Sequence, residues 1–307
     1  MCRLMVYIGS NAIPMENVII KPSNSLIYQS ERGGNGRSLI PGLPDCLQMP
    51  INKDGAGISW YDEHRKAHRY RNAKSAHGDL HLERVSKQTA SNLIFAHVRS
   101  AKAGVSGEVS ASVDEKNCHP FIYNSYSFMH NGAISGFNVI KPKILRLLNK
   151  SSKYVVQGTT DSELCFALFL TLLGDGSKTY PIEDMIGALE GTIQIIAQIS
   201  KNERIKFPSS LNFAVTDGIN VVVSRYRNSI LESEQPPSLY VNIGKCLYGS
   251  GGEDEDNVII SSEPLCSKNL EKWRVVPKNT IVAVVANSFG GREVFTIPIV
   301  SNVVGEG

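Results

Sequence analysis

Long apolar runs are missing from this 307-residue chain. No segment approaches the roughly 18 consecutive apolar residues that a membrane span needs. The opening MCRLMVYIGSNAIP has too short an apolar stretch for a signal peptide, so a cytoplasmic setting is the expectation. Cysteine is sparse and scattered: Cys2, Cys46, Cys118, Cys165, Cys246 and Cys266 form no CxxC pair, which argues against a zinc site and a disulfide scaffold. An excess of one charge is lacking too. The 32 Lys and Arg face 29 Asp and Glu, and the net charge of +3 gives no electrostatic reason to expect nucleic acid or an anionic membrane as partner. There is no internal repeat and no Pro/Ser linker, so residues 2–307 read as a single domain. What remains, 42% hydrophobic and 20% charged residues, is globular usage and excludes disordered, collagenous and coiled-coil classes.

CRLMVYIGS predicts a buried strand at the very start of the chain. Further strands are expected at Gly57 to Glu63, Asn92 to Ser100 and Ser125 to Ser135, after a Gly- and Pro-rich loop from Gln29 to Asp54. The middle is helical: KPKILRLLNK, then TTDSELCFALFLTLLG with Thr159 or Thr160 as N-cap and Gly174 as stop, then YPIEDMIGALEGTIQIIAQISK. In the second of these, Leu164, Leu168 and Leu172 form a core-facing stripe. LNFAVTDGINVVVSRY places a DG turn between two apolar runs and predicts a hairpin. SLYVNIG, NVIISSE and NTIVAVVANS add strands. Strands, helices, then strands again point to an α+β fold of two sheets with helices on their outer faces.

Cys2 follows the initiator methionine directly, and a side chain this small permits methionine removal. A free α-amine, with a reference pKa of about 8, can then take the proton of the thiol on its own carbon skeleton without a separate histidine. The competing reading is a chance cysteine in a buried strand. Polar residues at the ends of apolar strands shift the balance. Arg99 in AHVRS offers a bidentate fork for a carboxylate. Asn131 and Gly132 in FMHNG supply the side-chain amide and backbone N–H of an oxyanion hole. Asp161 in GTTDSE stands at a helix start, where capping is the alternative.

Taken in order, Cys2, AHVRS, MHNG and GTTDSE resemble the class II glutamine amidotransferases, whose domain is an N-terminal-nucleophile hydrolase of four αββα layers. NKDGAGISWYDE, ISSEPL and WRVVPKN are similar to segments of its stand-alone branch, which includes γ-glutamyl hydrolases of ergothioneine biosynthesis and the amidotransferase-like subunit of cytosolic glutathione breakdown. The resemblance implies hydrolysis of a γ-glutamyl amide bond through a thioester on Cys2, with Asn131 and Gly132 holding the oxyanion. Arg99 would bind the α-carboxylate, Asp161 the α-ammonium, and His130, inside the MHNG motif, joins the substrate-binding set. It implies no cofactor and no metal. The partners implied are a small γ-glutamyl substrate and a peptidase-like or acceptor-activating subunit. Delivery of ammonia to such a subunit, or a non-catalytic glutamyl-binding scaffold, are the alternatives.

Departures from the branch pattern fall at Lys53, Ala56 and Ser59, and at Ser100-Ala101-Lys102. They are expected near the glutamyl pocket, where Ala56 would open space for a substrate bulkier than glutamine. A Cys/His dyad could be drawn from His97 and His130, but both alternate with apolar residues on strands and read as satisfied core histidines. His64, His68, His77 and His81, with their interleaved arginines, read as surface charge in a loop or solvated helix rather than a metal or RNA site. GGNG at Gly33 to Gly36 lacks the Lys-Ser/Thr of a phosphate loop and reads as a flexible cover for the pocket; EDED at Glu253 to Asp256 reads as a solvated turn.

Overall fold

The first strand, β1 (Arg3–Pro14), is apolar on successive residues because both of its faces are covered. Leu4, Val6 and Ile8 join one buried cluster and Met5 and Tyr7 another, the period-two split of an extended chain. The computed structural model describes residues 2–32, 52–100, 112–174, 176–244, 256–266, 269–287 and 291–300. Within them β1 is followed by α1 (Glu16–Ile19), α2 (Leu26–Arg32), β2 (Ala56–Tyr61), β3 (Ala67–Asn72), α3 (Leu80–Gln88) and β4 (Ala90–Val98). Next come β5 (Phe121–Tyr123), β6 (Tyr126–Ala133), α4 (Phe137–Leu147), α5 (Lys150–Lys153), α6 (Asp161–Leu173) and α7 (Ile182–Asn202). The last elements are β7 (Ser210–Thr216), β8 (Val221–Arg225), β9 (Tyr240–Ile243), β10 (Val258–Ser261), β11 (Trp273–Val275), β12 (Thr280–Ala286) and β13 (Arg292–Pro298).

Two antiparallel sheets take up these strands, one in the order β11-β9-β10-β1-β4-β2-β3 and the other β13-β12-β8-β7-β6-β5. Between them Leu4, Val6 and Phe95 of the first meet Met129, Ala214, Val223 and Val282 of the second. The outer face of the first sheet, with Met5, Tyr7, Ile58 and Ala96, packs under Val18, Leu26 and Leu82 of α1 to α3. The outer face of the second, with Phe128, Phe213 and Val222, packs under α4, α6 and α7. These are the four αββα layers expected.

Helix α6 starts where Thr160 Oγ1 accepts the Glu163 N–H at 3.2 Å and stops at Gly174. The expected leucine stripe is only part of its burial. Every residue from Ser162 to Leu170 is buried because the helix lies between the sheet and α7, whereas Leu172 is 41% exposed. The DG hairpin forms as β7 and β8, with Thr216 opposite Val221 across a four-residue loop instead of a two-residue one. Asp217 Oδ1 there accepts the N–H groups of Ile219 and Asn220, and Gly218 takes a positive φ of 93°.

Two expectations need correction. The basic run is not a loop or solvated helix throughout: Ala67–Asn72 is β3, the edge strand of the first sheet. Its Tyr70 packs on the helical side with its hydroxyl on Asp79, while Arg69 and Arg71 reach the carbonyls of Pro120 and Cys118 from the other face. Charge on both sides hid the alternation, and charge is what keeps an edge strand from pairing with another chain. The loop expected from Gln29 begins later, since α2 runs to Arg32. Gly33 to Gly36, Cys46, Ala101, Lys102, Cys246 and Glu253 to Glu255 lie outside the described residues.

Candidate active site

Strand register brings three segments side by side at one end of the first sheet. Val98 of β4 pairs with Arg3 on one side and Ala56 on the other, so Cys2, Arg99 and Gly55 follow on the same row. The Arg99 N–H donates to Gly55 O at 2.7 Å and the Ser100 N–H points at Cys2 Sγ at 3.5 Å. Cys2 is half-buried, and Arg99 is buried. Arg99 Nη1 donates to Asp54 O at 3.4 Å and Ser112 O at 3.1 Å, which holds the guanidinium plane in place. At Gly55, with φ of 140°, a Cβ would run into Cys118 Sγ, so the close approach requires glycine.

The second sheet contributes from the matching end of β6. Met129 and Asn131 take the inter-sheet side, while Phe128 and His130 take the helical side. His97 Nε2 donates to His130 O at 3.2 Å and ties the two sheets together there. Asp161 is the first residue of α6, and its Oδ2 accepts the Ile134 N–H at 2.8 Å just past the end of β6. Gly132 approaches β7 so closely that a Cβ would strike Ser210 O.

His130 does not line the site as its motif suggested. Its ring is buried on the helical face, with Nε2 donating to Ser210 O at 3.1 Å and Nδ1 3.0 Å from Ser162 Oγ. Ser162 Oγ in turn lies 3.1 Å from Asp161 Oδ1, so His130 reaches the site only through the serine beside Asp161. Burial holds the imidazole below its ordinary range, partly offset by Asp161.

Sequence reasoning missed the residues that brace Cys2. Arg3 and Glu263, both buried, form an ion pair at 2.9 Å, and Arg3 Nη1 also reaches Cys2 O at 3.4 Å. Burial pulls the Arg3 guanidinium down from its ordinary value and the Glu263 carboxylate holds it up. Asn24 Nδ2 donates to the other Glu263 oxygen at 3.4 Å. A charged residue inside an apolar strand, directly after the nucleophile candidate, was the available signal. Glu163 was likewise overlooked: its Oε2 accepts the Gly158 N–H at 2.6 Å and shapes the turn before Asp161, with burial raising its carboxyl above the ordinary range.

The rings of His97 and His119, both buried, pack against each other with centroids 4.1 Å apart and planes inclined by 46°. Burial pushes His97 down to about 3 and His119 lower than its ordinary value as well. In the unfolded chain these imidazoles titrate near 6.5, so below that pH the unfolded state binds more protons and folding stability is lost as pH falls. Denaturant midpoints are expected to drop between about pH 6 and pH 4. His97→Gln should flatten that slope by roughly 1.4 kcal/mol per pH unit.

Of the departures expected at the pocket, Ser100 lies against Cys2, whereas Ala56 and Ser59 face away from it. Ala56 packs on the helical face of the first sheet, Lys53 is exposed, and Ser59 Oγ bonds Ser127 Oγ at 2.7 Å between the sheets. Ala56 therefore does not enlarge a glutamyl pocket. A cleft of about 650 Å³ lies at the other end of β4, lined by Tyr61, Arg65, Ser91, Gly218 and Arg292. Its lining includes no thiol, and Ser91 Oγ donates to Tyr61 O and Leu93 O. The surface histidines pair locally, His68 with Asp62 at 2.8 Å and His77 with Glu31 at 3.4 Å.

Comparison with known proteins bears on the family and the fold. The family model of class II glutamine amidotransferases matches residues 47–292. The probable glutamine amidotransferase DUG3 of Saccharomyces cerevisiae is 32% identical over 309 residues, covering 92% of this chain and 82% of that protein. The gamma-glutamyl-hercynylcysteine sulfoxide hydrolase of Mycolicibacterium smegmatis is 23% identical over 284 residues, covering 92% and 96%. Among solved structures, a glutamine aminotransferase class-II domain protein from Silicibacter pomeroyi superposes with a TM-score of 0.63 at 20% identity, over 97% of this chain and 100% of that one. The likeness to the yeast protein and the span of the family model lead to one conclusion: the chain belongs to the class II glutamine amidotransferases.

Proposed function

We propose that the protein hydrolyses a γ-glutamyl amide bond through a thioester on Cys2. The observation that carries this reading is the row formed by Cys2 and Arg99, with the Ser100 N–H aimed at the sulfur. Once Met1 is removed, the α-amine of Cys2 takes the thiol proton and Sγ attacks the γ-carbonyl carbon. Asn131 Nδ2 and the Gly132 N–H hold the resulting oxyanion. The C–N bond breaks as the α-ammonium returns its proton to the leaving amine, and Cys2 carries the γ-glutamyl group. Water, losing a proton to the same amine, attacks the thioester; glutamate leaves and the thiol is restored. Arg99 takes the substrate α-carboxylate and Asp161 its α-ammonium, so the site reads a free amino-acid end. Ser162 and His130 support Asp161 rather than touch substrate.

Residues 2–307 act as one catalytic domain in this reading, and the compartment is the cytoplasm. The names of the yeast and mycobacterial relatives support a glutamine or γ-glutamyl substrate. An acceptor-activating or peptidase-like subunit is the partner to look for, since an enzyme delivering ammonia requires one and a hydrolase does not. Copurification of a second chain separates the two.

Intact-protein mass spectrometry before and after an electrophilic glutamine analogue tests the reading. Loss of Met1 and a single adduct mapped to Cys2 are expected. A processed protein that takes no adduct would favour a scaffold. Arg99→Lys should raise KM for a γ-glutamyl substrate by about tenfold or more with a smaller change in kcat, because a point charge replaces a bidentate fork.

A further inference from the structure

Ser262, the first residue past β10, joins both halves of the site. It continues the inward positions of β10, where Val258 and Ile260 are apolar, yet it is a serine with no solvent exposure. Its Oγ accepts the Leu4 N–H at 3.0 Å and Asn131 Nδ2 at 3.3 Å. Its own N–H donates to Leu4 O at 3.0 Å, and its carbonyl accepts Ser238 Oγ at 2.8 Å. One buried hydroxyl thus ties the strand that carries Cys2 to the amide on the opposite sheet. The amide has few other restraints, because Asn131 Oδ1 is buried with no hydrogen-bond partner. An amide torsion is broad and roughly two-fold, so without a tether its plane is loosely defined. An oxyanion donor needs a fixed direction.

The geometry points to Ser262 as a positioning residue that sets the plane of the Asn131 amide and locks it to the nucleophile strand. One amide hydrogen is directed at Ser262 Oγ, which leaves the second for the tetrahedral oxygen. The inference rests on Asn131 being the oxyanion donor, and the test separates the two ideas.

Ser262→Ala is expected to lower kcat for a γ-glutamyl anilide by about 10- to 100-fold with KM within about threefold. Affinity for glutamate γ-semialdehyde, which forms a tetrahedral adduct with the thiol, should fall in parallel with kcat. Affinity for glutamate and the rate of Cys2 alkylation by iodoacetamide should stay unchanged, which a general loosening of the fold would not allow. In an Asn131→Ala background the serine substitution should have no further effect on kcat. Ser262→Cys keeps a weaker acceptor in a similar volume and is expected to give intermediate kcat on the same readouts, so the test stands where the alanine variant melts early. An unimpaired Ser262→Ala enzyme, or equal losses in glutamate binding and alkylation, would overturn the role of Ser262. Unimpaired Asn131→Ala would instead overturn the oxyanion assignment itself.

Discussion

Cys2→Ala is expected to abolish γ-glutamyl hydrolysis, by at least about 10⁴-fold, with no change in far-ultraviolet circular dichroism and little in melting temperature. The contrast follows from where the side chain sits. Cys2 precedes β1 and is half-buried, so its sulfur contributes little packing, whereas Leu4 and Met5 beyond it are fully buried. The thiol supplies the bond-forming electron pair, and among the described residues Cys118, Cys165 and Cys266 are all buried, with burial raising the first two above the ordinary thiol range. Turnover retained in this variant would end the thioester mechanism. Hydrolysis measured with the alanine protein, after its mass confirms the substitution, is sufficient to decide it.

The largest stability effect is expected at Glu263. Replacing it with alanine leaves Arg3 charged and buried without its carboxylate, a change that destabilises by about 3–5 kcal/mol in comparable pairs. For a chain of this size that is a fall in melting temperature of about 5–8 °C. The paired change Arg3→Met with Glu263→Leu removes both charges and is expected to recover most of that loss. The double variant is informative in another way, since it loses the Arg3 contact to the Cys2 carbonyl while keeping a folded core. Thermal melts of the single and double variants check the argument. A single variant as stable as the parent would mean that Asn24 and solvent suffice for Arg3 and Glu263.

How much of this was legible in the sequence depends on distance along the chain. Thr160, Asp161 and Gly174 mark a helix locally, and they delimit α6 as read. Asp217 and Gly218 mark the hairpin for the same reason. β3 was illegible because Arg69 and Arg71 stand where a half-buried strand usually has apolar residues, and only the edge position explains them. Cys2, Arg99, Asn131 and Asp161 could be named because the segments that hold them, taken in order, resemble those of the class II glutamine amidotransferases. Their bracing could not: Arg3 and Glu263 are separated by 260 positions, and neither residue type indicates its partner. Placing Ala56 at the pocket failed on a simple parity argument, since residues 56 and 58 face the helices and residue 59 faces the other sheet.

The pairing of Leu4 with Ser262 spans 258 positions of chain, and β1 is an interior strand of its sheet. At roughly 5–20 residues per second of synthesis, β1 waits about 13–50 s for the segment that closes over it. During that interval its backbone lacks the β10 partner. The same delay leaves an apolar strand with nothing to pair with on that side until β10 has been made.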